Sequence, residues 1–280
     1  MAFGPLGELV APDLPLAEPA DVSVQLVQDA FARLEGRGIV VEPPGPRGPW
    51  VTSLAVAELV ARGLGDHVLV AGAPGTVERI AADVQARSGV HLDVGLAAGS
   101  TVRSSPRLVL DHDLVEAEVD VLLARPWDLV VVEAAHHVAG DDAAHVRRAL
   151  SRLLRSSRWA LLVTPAPARD DLIELRRLAE LVRPGTFRPE PEFRSRLVDP
   201  DVRHAPSRPD ELRRLLEPVV AWPEAAAPSE RSRELEHHEV EPSPEEAAVA
   251  EAGIAVVADR LAGAAGWAAR RALVPHLALP

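Results

Sequence analysis

The feature that most constrains this chain is a short run of aliphatic residues set between two acids. Residues 127–133 read Trp-Asp-Leu-Val-Val-Val-Glu. Four successive branched aliphatic side chains suit a strand buried on both faces, as in a parallel sheet covered by helices on each side. Comparable apolar runs stand at 38–41, 67–71, 108–110 and 159–164, and helical periodicity separates them. In 22–36, for example, Val24, Leu26, Val27, Ala30, Phe31 and Leu34 share one stripe. Further helices are predicted over 51–62, over 76–87 with Thr76 as cap, and over 142–156, 170–181 and 210–220. Strand–helix alternation of this kind predicts an α/β fold built on a doubly wound, mostly parallel sheet.

The flanking segments have a different character. Residues 1–20 are Pro-rich and read as an extended leader to a compact lobe over 21–222. Residues 223–246 are rich in Pro, Ser and Glu and read as an acidic linker. Ser243-Pro244-Glu245-Glu246 then opens a final helix over 247–280, with a cap, a first-turn proline and first-turn acids. Its apolar stripe runs through Ala250, Ile254, Val257, Leu261, Ala264 and Ala268. Two readings of that helix stand open: it packs on its own lobe, or it binds a protein partner or a second copy through Ile254, Val257, Leu261 and Trp267.

Composition removes several chemistries. The chain has no Lys, so all 30 basic residues are Arg, and neither a Schiff base nor a phosphate-gripping lysine is available. It has no Cys, which excludes thiolate nucleophiles, disulfides and Cys-ligated zinc. No apolar run approaches the ~18–20 residues of a membrane span and no secretory signal is evident, so a cytoplasmic protein without membrane contact is expected. Tandem His136-His137 and His237-His238 and the Asp111-His112-Asp113 triplet match no standard metal spacing, so no metal is expected. Gly72-Ala73-Pro74-Gly75 lacks a dinucleotide fingerprint, and no nucleophile elbow is present. The net charge is −12, yet residues 147–214 hold 16 Arg against 10 acids. Either these arginines form solvated, ion-paired helix faces, or some of them, Arg147, Arg148, Arg152 and Arg155 first, face nucleic-acid phosphates.

Three segments in order carry a resemblance. Asp128-Leu129-Val130-Val131-Val132-Glu133-Ala134-Ala135-His136-His137 resembles the Walker B segment of superfamily-two helicases, and its two histidines are most similar to Swi/Snf-type, RapA-like DNA translocases. Thr164-Pro165-Ala166-Pro167 is similar to the motif that couples nucleotide state to nucleic-acid movement there, and Leu181-Val182-Arg183-Pro184-Gly185-Thr186-Phe187 to the stretch that follows it. Residues 68–80 resemble the strand and helix that contact the DNA backbone, and 211–218 the helix leaving the first lobe. Over residues 25–220 the resemblance implies a degenerate N-terminal RecA-like lobe alone, since too few residues follow for a second lobe.

The same resemblance implies a dead catalytic site. Counted back without gaps from Val68, the phosphate loop falls on 44–49, with the Lys and Thr/Ser positions at Gly48 and Pro49. Prolines 43, 44, 46 and 49 remove four of the N–H groups that such a loop points at phosphates. The Mg²⁺-organising acid is Glu133, the general-base position is Ala134, and the second Thr of the third motif is Ala166. Losing the base forfeits about 10²–10⁴ in rate, and losing the second-lobe arginines about 10³–10⁵. The expectation is therefore a helicase-like pseudoenzyme without cofactor, acting as a scaffold or partner-binding module in a nucleic-acid-related complex. Its alternatives are a DNA-contacting module using 147–214 and a residual ATP-binding helicase or ATPase.

Overall fold

The computed structural model describes residues 20–42 and 50–223, with Ser243 and Ala252. The chain divides into two units, Met1–Ala226 and Ala227–Pro280, and the fold described is that of the first. The expected leader lies outside the described residues except for Ala20. So do the acidic linker apart from Pro223 and Ser243, the final helix apart from Ala252, and the loop positions Gly48 and Pro49.

The described lobe begins with α1 (Ala20–Ala32), β1 (Arg37–Val41) and α2 (Trp50–Ala61). Next come β2 (Val68–Gly72), α3 (Val77–Ser88), β3 (Asp93–Gly95), α4 (Ser100–Ser104) and β4 (Arg107–Asp111). Two short helices, α5 (His112–Ala117) and α6 (Val119–Leu123), lead to β5 (Leu129–Val132). Then follow α7 (Ala144–Ser156), β6 (Trp159–Thr164), α8 (Leu172–Val182), α9 (Glu190–Leu197), α10 (Pro209–Leu216) and β7 (Val220–Ala221). The strands form one sheet in the order β3-β4-β2-β5-β6-β1-β7, and every pairing is parallel. This is the doubly wound sheet that the apolar runs predict.

Alternation within each strand builds the two cores. In β5, Val130 and Val132 point to one face while Leu129 and Val131 point to the other, and β2 and β6 divide in the same way. The first face is covered by α5, α7 and α8, the second by α1, α2 and α3. All four β5 residues are fully buried. At about 25 cal/mol per Å² of apolar surface, each contributes roughly 1.5–3 kcal/mol. The turn into β1 depends on Gly36, where φ is +71° and a Cβ would sit 2.1 Å from the Trp159 ring. Only glycine adopts that backbone beside that ring without displacing it.

The structure corrects several predicted bounds. The first helix stops at Ala32, and the helix expected to reach 220 stops at Leu216. The chain then pairs Val220 and Ala221 beside β1 as an edge strand. The short edge strand β3 and helices α4, α5, α6 and α9 were not anticipated. Thr76 stands at the N-cap of α3 without capping it; its hydroxyl donates instead to Ala73 O at 2.6 Å. Asp171 does cap α8, accepting from Ile173 N at 2.9 Å.

Candidate functional site

Strands β1 and β6 are neighbours, but the helix after β1 (α2) covers one face and the helix after β6 (α8) covers the other. Diverging connections of this kind bring functional side chains together at the carboxyl ends of the strands. The parallel register aligns Val41 with Thr164, and Leu162 with Val132. Glu42 and Glu133, each the residue after its strand, therefore emerge at the same edge. Their backbones stay tied to the sheet, with Glu42 N donating to Thr164 O at 3.1 Å and Glu133 N to Ala71 O at 2.7 Å.

Glu42 turns back onto the start of α2. Its Oε1 accepts the Val51 amide at 3.0 Å, and the Trp50 amide and the Ser23 hydroxyl also reach the carboxyl. The first amides of a helix have no partner in the helix and favour an anion. Here the chain supplies that acceptor itself. Burial raises the Glu42 carboxyl to about 7, against the pull of those hydrogen bonds and of the Arg87 charge. The Arg87 guanidinium lies 4.4 Å from the Trp50 ring centroid.

Glu133 is partly buried over the whole residue, with its carboxyl enclosed by protein. The Thr52 hydroxyl, in the first turn of α2, donates to it, and so does the Ala134 amide. Burial, with the nearby charge of Glu42, pushes this carboxyl up to about 8. Behind it, the fully buried His112 shares a 3.2 Å hydrogen bond with Glu133 O. Ala134 takes the left-handed conformation, φ +50° and ψ +44°, which a side chain with a Cβ adopts at a cost of about 1–2 kcal/mol. His136 Nδ1 shares a 3.1 Å hydrogen bond with Thr164 Oγ1, which also accepts from Ala166 N at 3.2 Å. Burial, then the Arg169 charge, holds His136 below the usual histidine range. The His137 ring is tilted against His136 at 4.3 Å.

Sequence reasoning placed Glu133, Ala134 and Ala166 at this edge but missed Glu42 and Thr52. The gapless count left no hydroxyl for the phosphate-loop position. The hydroxyl that meets Glu133 is Thr52, three residues beyond Pro49. The spacing from Gly45 to Thr52 also matches Gly-x₄-Gly-Lys-Thr, a signal available in the sequence; Trp50 and Val51 then occupy the Gly and Lys positions. Neither register offers a lysine.

The four arginines singled out on α7 separate into two kinds. Arg147 is half-buried, and its guanidinium donates to Val138 O and Gly140 O, which ties down the turn after Glu133. Arg152 pairs with Asp120 at 2.8 Å. Arg148 and Arg155 are exposed, and neither meets a carboxylate within ion-pair distance among the described residues. The Asp111-His112-Asp113 triplet is structural: Asp111 caps α5 by accepting from Leu114 N at 2.7 Å. Among the described residues no group of three His, Cys, Asp or Glu side chains could hold a metal, and no helix is long and apolar enough to cross a membrane. His237 and His238 lie outside the described residues.

No protein-family model matches the sequence, and no curated protein matches it. Solved structures do. The Sulfolobus solfataricus SWI2/SNF2 ATPase core in complex with dsDNA is similar with a TM-score of 0.63 at 13% identity, covering 96% of this chain and 59% of that one. The core domain of the same ATPase gives a TM-score of 0.63 at 14% identity, covering 92% of this chain and 55% of that one. The chain thus spans less than two thirds of the length of these cores. The likeness establishes the RecA-like α/β fold, with a SWI2/SNF2 ATPase core among its structural neighbours.

A RecA-like fold implies a nucleoside triphosphate and Mg²⁺ at this edge. In the P-loop arrangement, loop amides and a lysine hold the phosphates, while a Ser/Thr hydroxyl and a Walker B acid hold the ion. The residues here do not fit the triphosphate. The Val51 and Trp50 amides are taken by Glu42 and no lysine exists; the Thr52 hydroxyl beside the Glu133 carboxyl is the part of the arrangement that matches the ion-holding pair.

Proposed function

We propose that this chain is a nucleotide-silent, helicase-like RecA lobe that acts as a scaffold or partner-binding module in a nucleic-acid-related complex, and is not an enzyme. One observation carries the reading: the Glu42 carboxyl sits on the first amides of α2. A triphosphate would have to displace the Glu42 carboxyl from the helix end, with no lysine to compensate. Ala134 then leaves the attacking water without a base. The persistence of apolar strands around this edge supports a fold retained for binding.

The test is thermal unfolding and phosphate release with ATP and Mg²⁺. A ligand at 100 times its Kd stabilises a protein by about 2.7 kcal/mol, so millimolar ATP would expose even a weak site. No shift and no release above background are expected. Mg²⁺-dependent stabilisation or turnover overturns the reading in favour of a residual ATPase. Association with DNA is a second reading, favoured by the arginines left without carboxylate partners on α7 and by the dsDNA bound to the Sulfolobus core. A protein partner at Ile254, Val257, Leu261 and Trp267 remains part of the proposal; these residues lie outside the described ones.

A further inference from the structure

Between α7 and α8 the surface forms an open trough of about 380 Å³ walled by Arg147, Arg148, Arg155, Arg176 and Arg177, with Glu180 the one acid on its wall. Five guanidinia therefore face one carboxylate around this depression, in a chain whose net charge is −12. Arg147 and Arg177 repel each other, and burial together with that repulsion holds the Arg147 guanidinium below its ordinary value. The protein commits these two to its own structure: Arg147 to Val138 O and Gly140 O, Arg177 to Ala139 O, Asp141 and Glu190.

The other three are differently placed. Arg176 spends only its Nε, on Arg188 O at 2.9 Å. Arg148 makes a weak contact with Ala144 O at 3.5 Å and one with His145 Nδ1 at 3.2 Å. Arg155 is exposed. None of the three meets a carboxylate within ion-pair distance among the described residues. Glu180 forms no ion pair with them within the described residues, its oxygens accepting from Gly185 N and Phe187 N, and its single charge stands against five guanidinia on the wall. Asp141, Asp142 and Glu190 act on the Arg147–Arg177 end of the trough, whereas Arg148, Arg155 and Arg176 have no carboxylate within ion-pair distance among the described residues, and more distant acids are screened over a Debye length of about 10 Å.

We propose that this trough binds the phosphodiester backbone of duplex nucleic acid without reading its sequence, through Arg148, Arg155 and Arg176, with Arg147 and Arg177 as positioning residues. The proposal rests on the nucleic-acid reading above and gives it a face, outside α7 and α8 rather than at the crowded carboxyl edge of the sheet. The chemistry of the wall selects the partner. A guanidinium matches a phosphate with two parallel donors. Polypeptide partners are anchored by buried apolar side chains, and here the apolar wall is only Ala144 and Leu181. Arg148 and Arg155 lie seven residues apart on α7, about 10 Å along the axis, which reaches more than one phosphate of a backbone.

The experiment is fluorescence anisotropy of a labelled 20-base-pair duplex with the full chain, titrated between about 50 and 200 mM salt. Three phosphate contacts predict a slope of log K against log salt near −2.7, and about 40-fold weaker binding across that range. The triple variant Arg148→Gln, Arg155→Gln, Arg176→Gln flattens the slope by about 2.7, to near zero. The control Arg188→Gln, Arg208→Gln, Arg213→Gln changes net charge equally on paired, exposed arginines and leaves the slope in place. Ser151→Glu, which adds one negative charge in the trough, weakens binding without touching an arginine. Salt-dependent binding that both triple variants lose equally, or that neither loses, overturns this face while leaving nucleic-acid association standing. Absence of binding at 50 mM salt overturns both. Equal competition by a polyglutamate peptide of matched charge assigns the trough to acidic polypeptide and overturns the phosphate assignment.

Discussion

The carboxyl edge of the sheet and the outer face of α7 and α8 treat charge in opposite ways. At the edge, Glu42 and Glu133 are turned inward and saturated by the chain's own donors, namely the Val51 and Trp50 amides, Thr52, and the Ala134 amide. On the outer face, Arg148, Arg155 and Arg176 are left without carboxylates among the described residues. A buried polar group must find its partner inside the fold, because an unsatisfied one costs about 1–3 kcal/mol. An exposed guanidinium pays no such penalty and stays available. The polar groups in the region that the helicase resemblance marks for chemistry are thus bonded to one another, whereas on a face with no catalytic motif three guanidinia have no carboxylate partner among the described residues.

The largest effect that could break this contrast is pH dependence. Glu42 and Glu133 hold their protons in the folded state up to about 7 and about 8, whereas the unfolded chain releases them near 4.5. Between those values the folded state binds more protons, so this contribution to stability is present at low pH and is lost as pH rises from about 4.5 to 8. The double variant Glu42→Gln, Glu133→Gln lacks it, so its thermal midpoint gains on the wild type steadily from pH 5 to pH 8. A difference that stays flat across that range means the acids are not enclosed as described.

Within the arginines, Arg147→Ala should cost about 1–3 kcal/mol in chemical denaturation, because the carbonyls of buried Val138 and half-buried Gly140 lose a charged donor. Arg148→Ala should stay within about 0.5 kcal/mol, as surface changes do. Equal losses would erase the division between committed and free arginines. At the edge, Thr52→Val should cost about 1–2 kcal/mol through the loss of the hydroxyl bond to Glu133. The smallest expected change is Ala134→Gly. It relieves a left-handed backbone but frees the unfolded chain, for a net gain of about 0.5 kcal/mol in the denaturation midpoint. Ala134→Glu restores the general-base position, yet phosphate release should remain at background, since Glu42 still holds the α2 amides.

The legible part of the fold was the part with dense local signal. Trp159–Thr164 is a strand at its predicted bounds, and Leu129–Val132 lies inside its predicted run. Each has apolar side chains on both faces, so burial is written into consecutive residues. Strands β3 and β7 escaped notice because an edge strand of two or three residues pairs on one side only and needs no such run. In the candidate site, Glu133 and Ala134 were visible through a contiguous motif. Thr52 carried only the spacing from Gly45, with Trp50 and Val51 in place of the Gly and Lys of the motif, and Glu42 carried no motif at all; the contact with Glu133, more than 80 residues away for Thr52, is what joins them to the site.

By itself the sequence determined the sheet and the absence of any lysine. Apolar runs separated by amphipathic segments leave few ways to bury themselves other than parallel strands under helices, and a chain without lysine cannot grip a phosphate as a P-loop does. Only the tertiary structure decided which charged groups are spent. Parallel register carries the residues after β1 and β5 to one edge, and packing of α7 against α8 separates Arg147 from Arg148. Partner choice among side chains is fixed by distances between elements remote in sequence, and no local pattern encodes those distances.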